Sequence, residues 1–137
     1  MDTVQLLAGG CLCGQIRYEL TAAPQLTAIC HCTHCQKQSG SAFSLNLVVQ
    51  RSGLAVSGDL ASYKDHGESG TVIYRQFCPD CGSPIISVPS DKPEIAYVKV
   101  GTLDDKGGID PEVQIWCSSA QPWWSSQSEI PAFDRSL

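Results

Sequence analysis

Eight cysteines mark this 137-residue chain, and their spacing is that of metal ligands. They form three tight groups, Cys11-Leu12-Cys13, Cys30-His31-Cys32-Thr33-His34-Cys35 and Cys78-Pro79-Asp80-Cys81, with Cys117 standing apart. Side chains two residues apart on a strand share a face, so Cys11 and Cys13 are expected to aim both sulfurs at one ion. Cys78-Pro79-Asp80-Cys81-Gly82 reads as a zinc knuckle, with Pro79 shaping the turn and Gly82 free to take a positive φ. Together the two pairs make a four-cysteine set, the closed tetrahedral arrangement of structural zinc.

The middle group is a C-x-C-x-x-C pattern. Three ligands from one short segment can cap a zinc ion and leave its fourth position open, as catalytic zinc sites do. A fourth protein ligand would close the site instead, and Cys117, His31, His34 and His66 are the candidates. His31 and His34 alternate with the cysteines, so their rings are expected to point away. An isolated strand cysteine such as Cys117 more often behaves as a small buried hydrophobe. Two closed four-cysteine sites, giving a structural module without catalysis, remain the alternative. Cys78 and Cys81 are spaced like a redox dithiol, but no βαβ pattern surrounds them. Asp104-Asp105 reads as a solvated turn beside Lys106-Gly107-Gly108, and Trp123-Trp124 as a pair plugging the core.

The chemistry open to three thiolates follows from charge. With Zn²⁺ they total −1, a weak Lewis acid for ionising water, whereas a substrate thiol in the open position is readily deprotonated. The bound thiolate would then add to an electrophilic carbonyl such as formaldehyde. Lys37 and Ser39 are candidates for steering an anionic thiol.

The elements that must position these groups have mostly a period of two. Ile16, Tyr18 and Leu20 alternate with Arg17 and Glu19, and Phe43, Leu45, Leu47 and Val49 repeat the pattern. Further strands are expected at 54–56, 60–63, 72–77, 85–88, 95–100 and 113–116. Turns such as Arg51-Ser52-Gly53 and Asp65-His66-Gly67 lie between them, the signature of a mainly β, antiparallel domain. Only Thr33 to Gly40 has room for helix. The tail from Pro122 to Phe133 is expected to pack its aromatics on the sheet.

Composition excludes several classes. Hydrophobic residues are 42% and charged residues 17%, which excludes a disordered tail protein. The length and the absence of a linker predict a single domain over 1–137. A net charge of −5 argues against binding nucleic acid or a membrane surface. No apolar run of about 18 residues is present to span a bilayer. Asp2 and the short Val4 to Ala8 segment do not make a signal peptide, so a cytoplasmic location with reduced thiols is expected.

The motifs, taken in order, carry a resemblance. They are Gly9-Gly10-Cys11-Leu12-Cys13-Gly14 with Arg17-Tyr18, the Cys30–Cys35 group with Lys37 and Ser39 to Phe43, and Tyr63. Phe77 to Pro84, Val100 to Asp104 and Ser119 to Trp124 complete the set. Over about residues 8 to 133 the chain resembles the family of glutathione-dependent formaldehyde-activating enzymes and centromere protein V. The resemblance implies a β-tent fold and two zinc ions per chain. Cys11, Cys13, Cys78 and Cys81 would bind the structural ion, and Cys30, Cys32 and Cys35 the catalytic one. It also implies formation of S-hydroxymethylglutathione from a small-molecule thiol and an aldehyde, classed with carbon–sulfur lyases. Two positions depart from the pattern: Gln36 stands where relatives often carry Arg, and Gln114 where many carry His. Both departures remove groups expected to meet an anionic substrate.

Overall fold

The structure, a computed structural model, describes residues 7–124 and 131–136. In chain order the elements are β1 (Ala8–Gly10), β2 (Arg17–Leu20), β3 (Leu26–Cys30), α1 (Thr33–Ser39), β4 (Ser44–Gln50) and β5 (Leu54–Ser57). They continue with β6 (Ala61–His66), β7 (Val72–Phe77), β8 (Pro84–Pro89), β9 (Ile95–Lys99) and β10 (Val113–Ile115). A small sheet has the order β1-β2-β5, and a large one β10-β3-β4-β9-β8-β7-β6. The chain is mainly β, as the alternating pattern predicts, and the one α-helix among the described residues falls where expected.

The core lies between the two sheets. Ile16, Tyr18, Leu20 and Leu54 from the small sheet's side meet Leu47, Val49, Ile85, Ile86, Ala96 and Val98 of the large one. Each fully buried Ile or Leu contributes about 2 kcal/mol of transfer free energy, so this face fixes the register of every strand that carries it. The opposite face of the large sheet is free of that packing and forms the wall of the site described below.

Three expectations are corrected. The large sheet is not wholly antiparallel: β10 runs parallel to β3, pairing Val113 with Ala28 and Ile115 with Cys30. A hairpin would force antiparallel pairing, but the long connection from Val100 to Glu112 lets the chain re-enter along the free edge of β3 in the same direction. Cys11 and Cys13 lie in the turn after β1, where the Gly14 N–H donates to the Cys11 carbonyl at 3.2 Å. Their sulfurs converge through this turn, closed by Gly14 at φ 84°, rather than through strand alternation. In the tail, Trp124 packs on Phe43 with ring centroids 4.8 Å apart, but Trp123 is 70% exposed. The stretch 125–130 lies outside the described residues.

Candidate metal centres

The first centre joins the two sheets. Cys11 and Cys13 come from the β1–β2 turn, Cys78 and Cys81 from the β7–β8 turn, and the four sulfurs all lie within 4.8 Å of one another. Cys13 Sγ is 3.5 Å from Cys11 Sγ and 3.8 Å from Cys78 Sγ. A tetrahedral zinc ion about 2.3 Å from each sulfur would space them about 3.8 Å apart. The donor set therefore fits a closed zinc site. Gly82, at φ 78°, turns the knuckle so that its N–H reaches the Cys78 carbonyl at 2.9 Å. Ser83 hydrogen bonds, from its hydroxyl and its backbone, bring the Cys81 thiol down to about 5, which favours the thiolate a metal needs. The Ile16 N–H donates to Cys11 Sγ at 3.2 Å.

The second centre is built where β3 runs into α1. Cys30 closes the strand, Cys32 caps the helix by accepting from the Cys35 N–H at 3.2 Å, and Cys35 sits in the first turn. Their three sulfurs also lie within 4.8 Å of one another, and all three are buried. Among the described residues no fourth Cys, His, Asp or Glu joins them. Hydrogen bonds from Cys30 and Cys32, aided by the charges of Lys99 and Arg75, bring Cys35 down to about 2, while the same pairing pushes Cys30 far up. One thiolate, at Cys35, is thus favoured, while Cys32 is pushed up to about 11, so the remaining thiols would need a bound cation to ionise.

The four candidates for closing this site are placed elsewhere. His31 is buried with Nε2 2.9 Å from Gln114 Oε1, and its ring packs edge-on against Phe43. Trp124 Nε1–H also donates to Gln114 Oε1, at 3.2 Å, so this oxygen acts as the acceptor of both. His34 Nδ1 contacts the Asp65 carboxylate at 2.9 Å. His66 ends β6, opposite Val72. Cys117 is half-buried in a short 3-10 turn after β10, its N–H donating to the Phe133 carbonyl.

Instead, the three sulfurs open on a cavity of about 650 Å³. Its wall is the unpacked face of the large sheet, formed by residues at alternate positions: Leu26, Ala28 and Cys30 on β3, Asn46 and Val48 on β4, and Ile95, Tyr97 and Lys99 on β9. Ser87 on β8 and Ile73 and Arg75 on β7 complete it. Two buried cations stand at the sulfur end. Arg75 points Nη1 at Cys35 Sγ, 4.0 Å away, and donates from Nε to Asp65 at 2.9 Å. Lys99 donates to Ser44 Oγ at 2.7 Å, and Ser44 in turn donates to Asn46. Burial lowers the Lys99 pKa from its ordinary value, against the opposing pull of Cys35. Reading the sequence missed Arg75, Lys99 and Ser87, although each shares strand parity with apolar residues of the same wall.

Lys37 and Ser39 do not reach this cavity. Lys37 lines a separate hollow of about 440 Å³ with Thr33, His34 and Tyr63. The Ser39 hydroxyl donates to the carbonyls of Gln36 and Phe43. Gln36 and Gln114 are also absent from the cavity wall. Gln36 ties α1 to the segment before it and to the 3-10 turn after β10, donating to the His31 and Ser119 carbonyls at 2.6 and 3.0 Å.

With this geometry, comparison with known proteins is informative. The sequence profile of the glutathione-dependent formaldehyde-activating enzymes matches residues 6–119. The chain belongs to that family. A Penicillium rubens protein with the provisional name glutathione-dependent formaldehyde-activating enzyme is 32% identical over 120 residues. The match covers 82% of this chain but 62% of that relative's length. The crystal structure of a Rhodobacter sphaeroides protein superposes with a TM-score of 0.57 at 24% identity, over 78% of this chain and 97% of its own. That likeness extends to the fold.

Proposed function

We propose that this chain is a zinc enzyme of the carbon–sulfur lyase type. It joins a thiol such as glutathione to formaldehyde or a related aldehyde, or cleaves the resulting S-hydroxymethyl adduct. The observation that carries this reading is that the Cys30, Cys32 and Cys35 triad opens on a cavity, with no fourth Cys, His, Asp or Glu joining it among the described residues. Membership of the family points to the same substrates. In this reading 1–137 is a single zinc-binding unit with two ions, one at each cysteine group. The eight free cysteines suit a reducing cytoplasm.

A zinc ion held by the triad would supply an exchangeable position that acidifies a substrate thiol. The chain's own residues do the rest. Arg75 and Lys99 place positive charge beside the triad, so a thiolate arriving there is not repelled by three existing thiolates. The thiolate sulfur attacks the carbonyl carbon, a carbon–sulfur bond forms, and the carbonyl π pair moves onto oxygen. Lys99, with one donor engaged by Ser44, has further N–H groups to meet that oxyanion. The proton lost by the thiol ends on the adduct's hydroxyl, so atoms and charge balance without a redox step.

The test is cobalt substitution. Addition of glutathione should shift the ligand-field and charge-transfer bands of the triad site, and adduct formation should exceed the spontaneous rate. Cys35→Ser should abolish both effects. Spectra indifferent to every thiol would instead favour a structural zinc module.

A further inference from the structure

We infer that the carbonyl substrate of this site carries an extended apolar body, an alkyl or aryl aldehyde rather than formaldehyde itself. The inference rests on the thiol–carbonyl reading above and names its substrate class.

The cavity, which must also admit the thiol, is larger than formaldehyde requires. Its volume of about 650 Å³ lies within the range of about 300–1,000 Å³ typical of sites that enclose a whole small molecule. Its wall is also the wrong chemistry for a two-heavy-atom polar substrate. Leu26, Val48, Ile73 and Ile95 occupy outward positions of the large sheet, where a face turned to water would carry polar residues. None of them belongs to the core between the sheets. Trp116 closes one side. It holds a left-handed backbone at φ 57°, a conformation rare for a bulky residue, with the Arg135 guanidinium stacked 5.0 Å from its ring centre. Strain of this kind persists where the surroundings enforce it, commonly at binding sites.

The buried polar side chains of the wall, Asn46, Arg75, Ser87 and Lys99, lie on the strands around the apolar patch, where they can orient a ligand's head. The decisive one is Ser87. It is 2% exposed, and its hydroxyl has no hydrogen-bond partner among the described residues. It stands directly between Tyr97 on β9 and Arg75 on β7 in the strand register. Buried hydroxyls are ordinarily satisfied, so an orphan on a cavity wall points to a ligand atom as its partner. A carbonyl oxygen is such a partner, accepting from Ser87 as the carbon–sulfur bond forms and from Lys99 as charge develops.

The experiment holds glutathione fixed as the thiol and varies the aldehyde from formaldehyde through propanal and hexanal to benzaldehyde. The catalysed rate above background is measured on the zinc-loaded protein, and thiol binding is read in parallel from cobalt spectra. Each methylene leaving water should raise kcat/KM about three- to fourfold, until the cavity is filled. Val48→Ser and Ile73→Ser, both at partly exposed positions, should lower the hexanal-to-formaldehyde ratio, with thermal melts confirming the fold. Spectral shifts with thiol but a rate that is flat or falls with chain length would overturn this inference and leave the proposed function standing. Spectra that ignore thiols would overturn both.

Discussion

Arg75 Nη1 stands 4.0 Å from Cys35 Sγ, and the same guanidinium is anchored from its other side by Asp65. The residue is 3% exposed, so its charge acts on the thiolates through little water. A cation there favours ionised sulfur, which a metal needs, and its anchor holds that cation in place. Groups of this kind commonly change metal affinity by 10–100-fold. Arg75→Leu should weaken metal binding at the triad by about that factor and leave the Cys11, Cys13, Cys78 and Cys81 centre untouched. Competition with a chromophoric chelator would show one release step moving and the other fixed; joint movement would contradict a local role.

Asp65 gives a prediction in pH. Burial alone would raise its pKa, but hydrogen bonds from His34 and Arg75 outweigh burial and hold the carboxyl below its ordinary value. A carboxylate depressed by folding contributes stability above its unfolded pKa of about 3.9, and that contribution is lost as pH falls through the folded value. Asp65→Asn should therefore lower stability at neutral pH and flatten the acid limb below about pH 4. Denaturant titrations from pH 7 to pH 3 check this. An unchanged acid limb would mean that the pair with Arg75 adds nothing to folding.

The two centres should differ in what they hold up. The four-cysteine group joins the β1–β2 turn of the small sheet to the β7–β8 turn of the large one, and Cys11 and Cys78 are themselves part of the core. Structural zinc contributes about 10–16 kcal/mol in small domains, comparable with whole-domain stabilities of about 5–15 kcal/mol. Cys81→Ser should leave the protein largely unfolded or insoluble. Cys32→Ser should leave it folded with about one zinc ion in place of two, since the triad lies at the end of one sheet. Circular dichroism with elemental analysis distinguishes the two, and equal collapse would contradict the division.

Strand positions and cysteine groups were legible because they depend on local pattern. Apolar alternation marks β2, β4, β7 and β9, and ligand spacing marks both centres. The cavity wall was not legible, because it depends on which strands become neighbours. Cys30, Asn46, Lys99, Ser87 and Arg75 come from five strands whose order along the sheet is not their order along the chain. Proximity in sequence singled out Lys37 and Ser39 instead. One lies on the outer side of α1 and the other secures its C-terminal end. Gln36 and Gln114 show the same limit. Each sits near a ligand in sequence or register, yet each is engaged in hydrogen bonds away from the cavity wall.

Ser87 separates function from stability most sharply. An unsatisfied buried hydroxyl costs folding about 1–3 kcal/mol, and removing it leaves no partner orphaned. Ser87→Ala should therefore raise the melting temperature by a few degrees, the reverse of the usual core substitution. If the hydroxyl donates to the carbonyl oxygen as charge develops there, the same variant should lose about 10²-fold in kcat, the scale of removing one oxyanion donor. Thiol binding, read from the cobalt spectrum, should stay as it is, because Ser87 is not among the sulfur ligands. Ser87→Thr retains the hydroxyl and should recover part of the rate. A variant that is both less stable and less active would mean that Ser87 is satisfied within the fold and serves only packing. One that is more stable and fully active would remove it from the reaction and leave the carbonyl oxygen to Lys99.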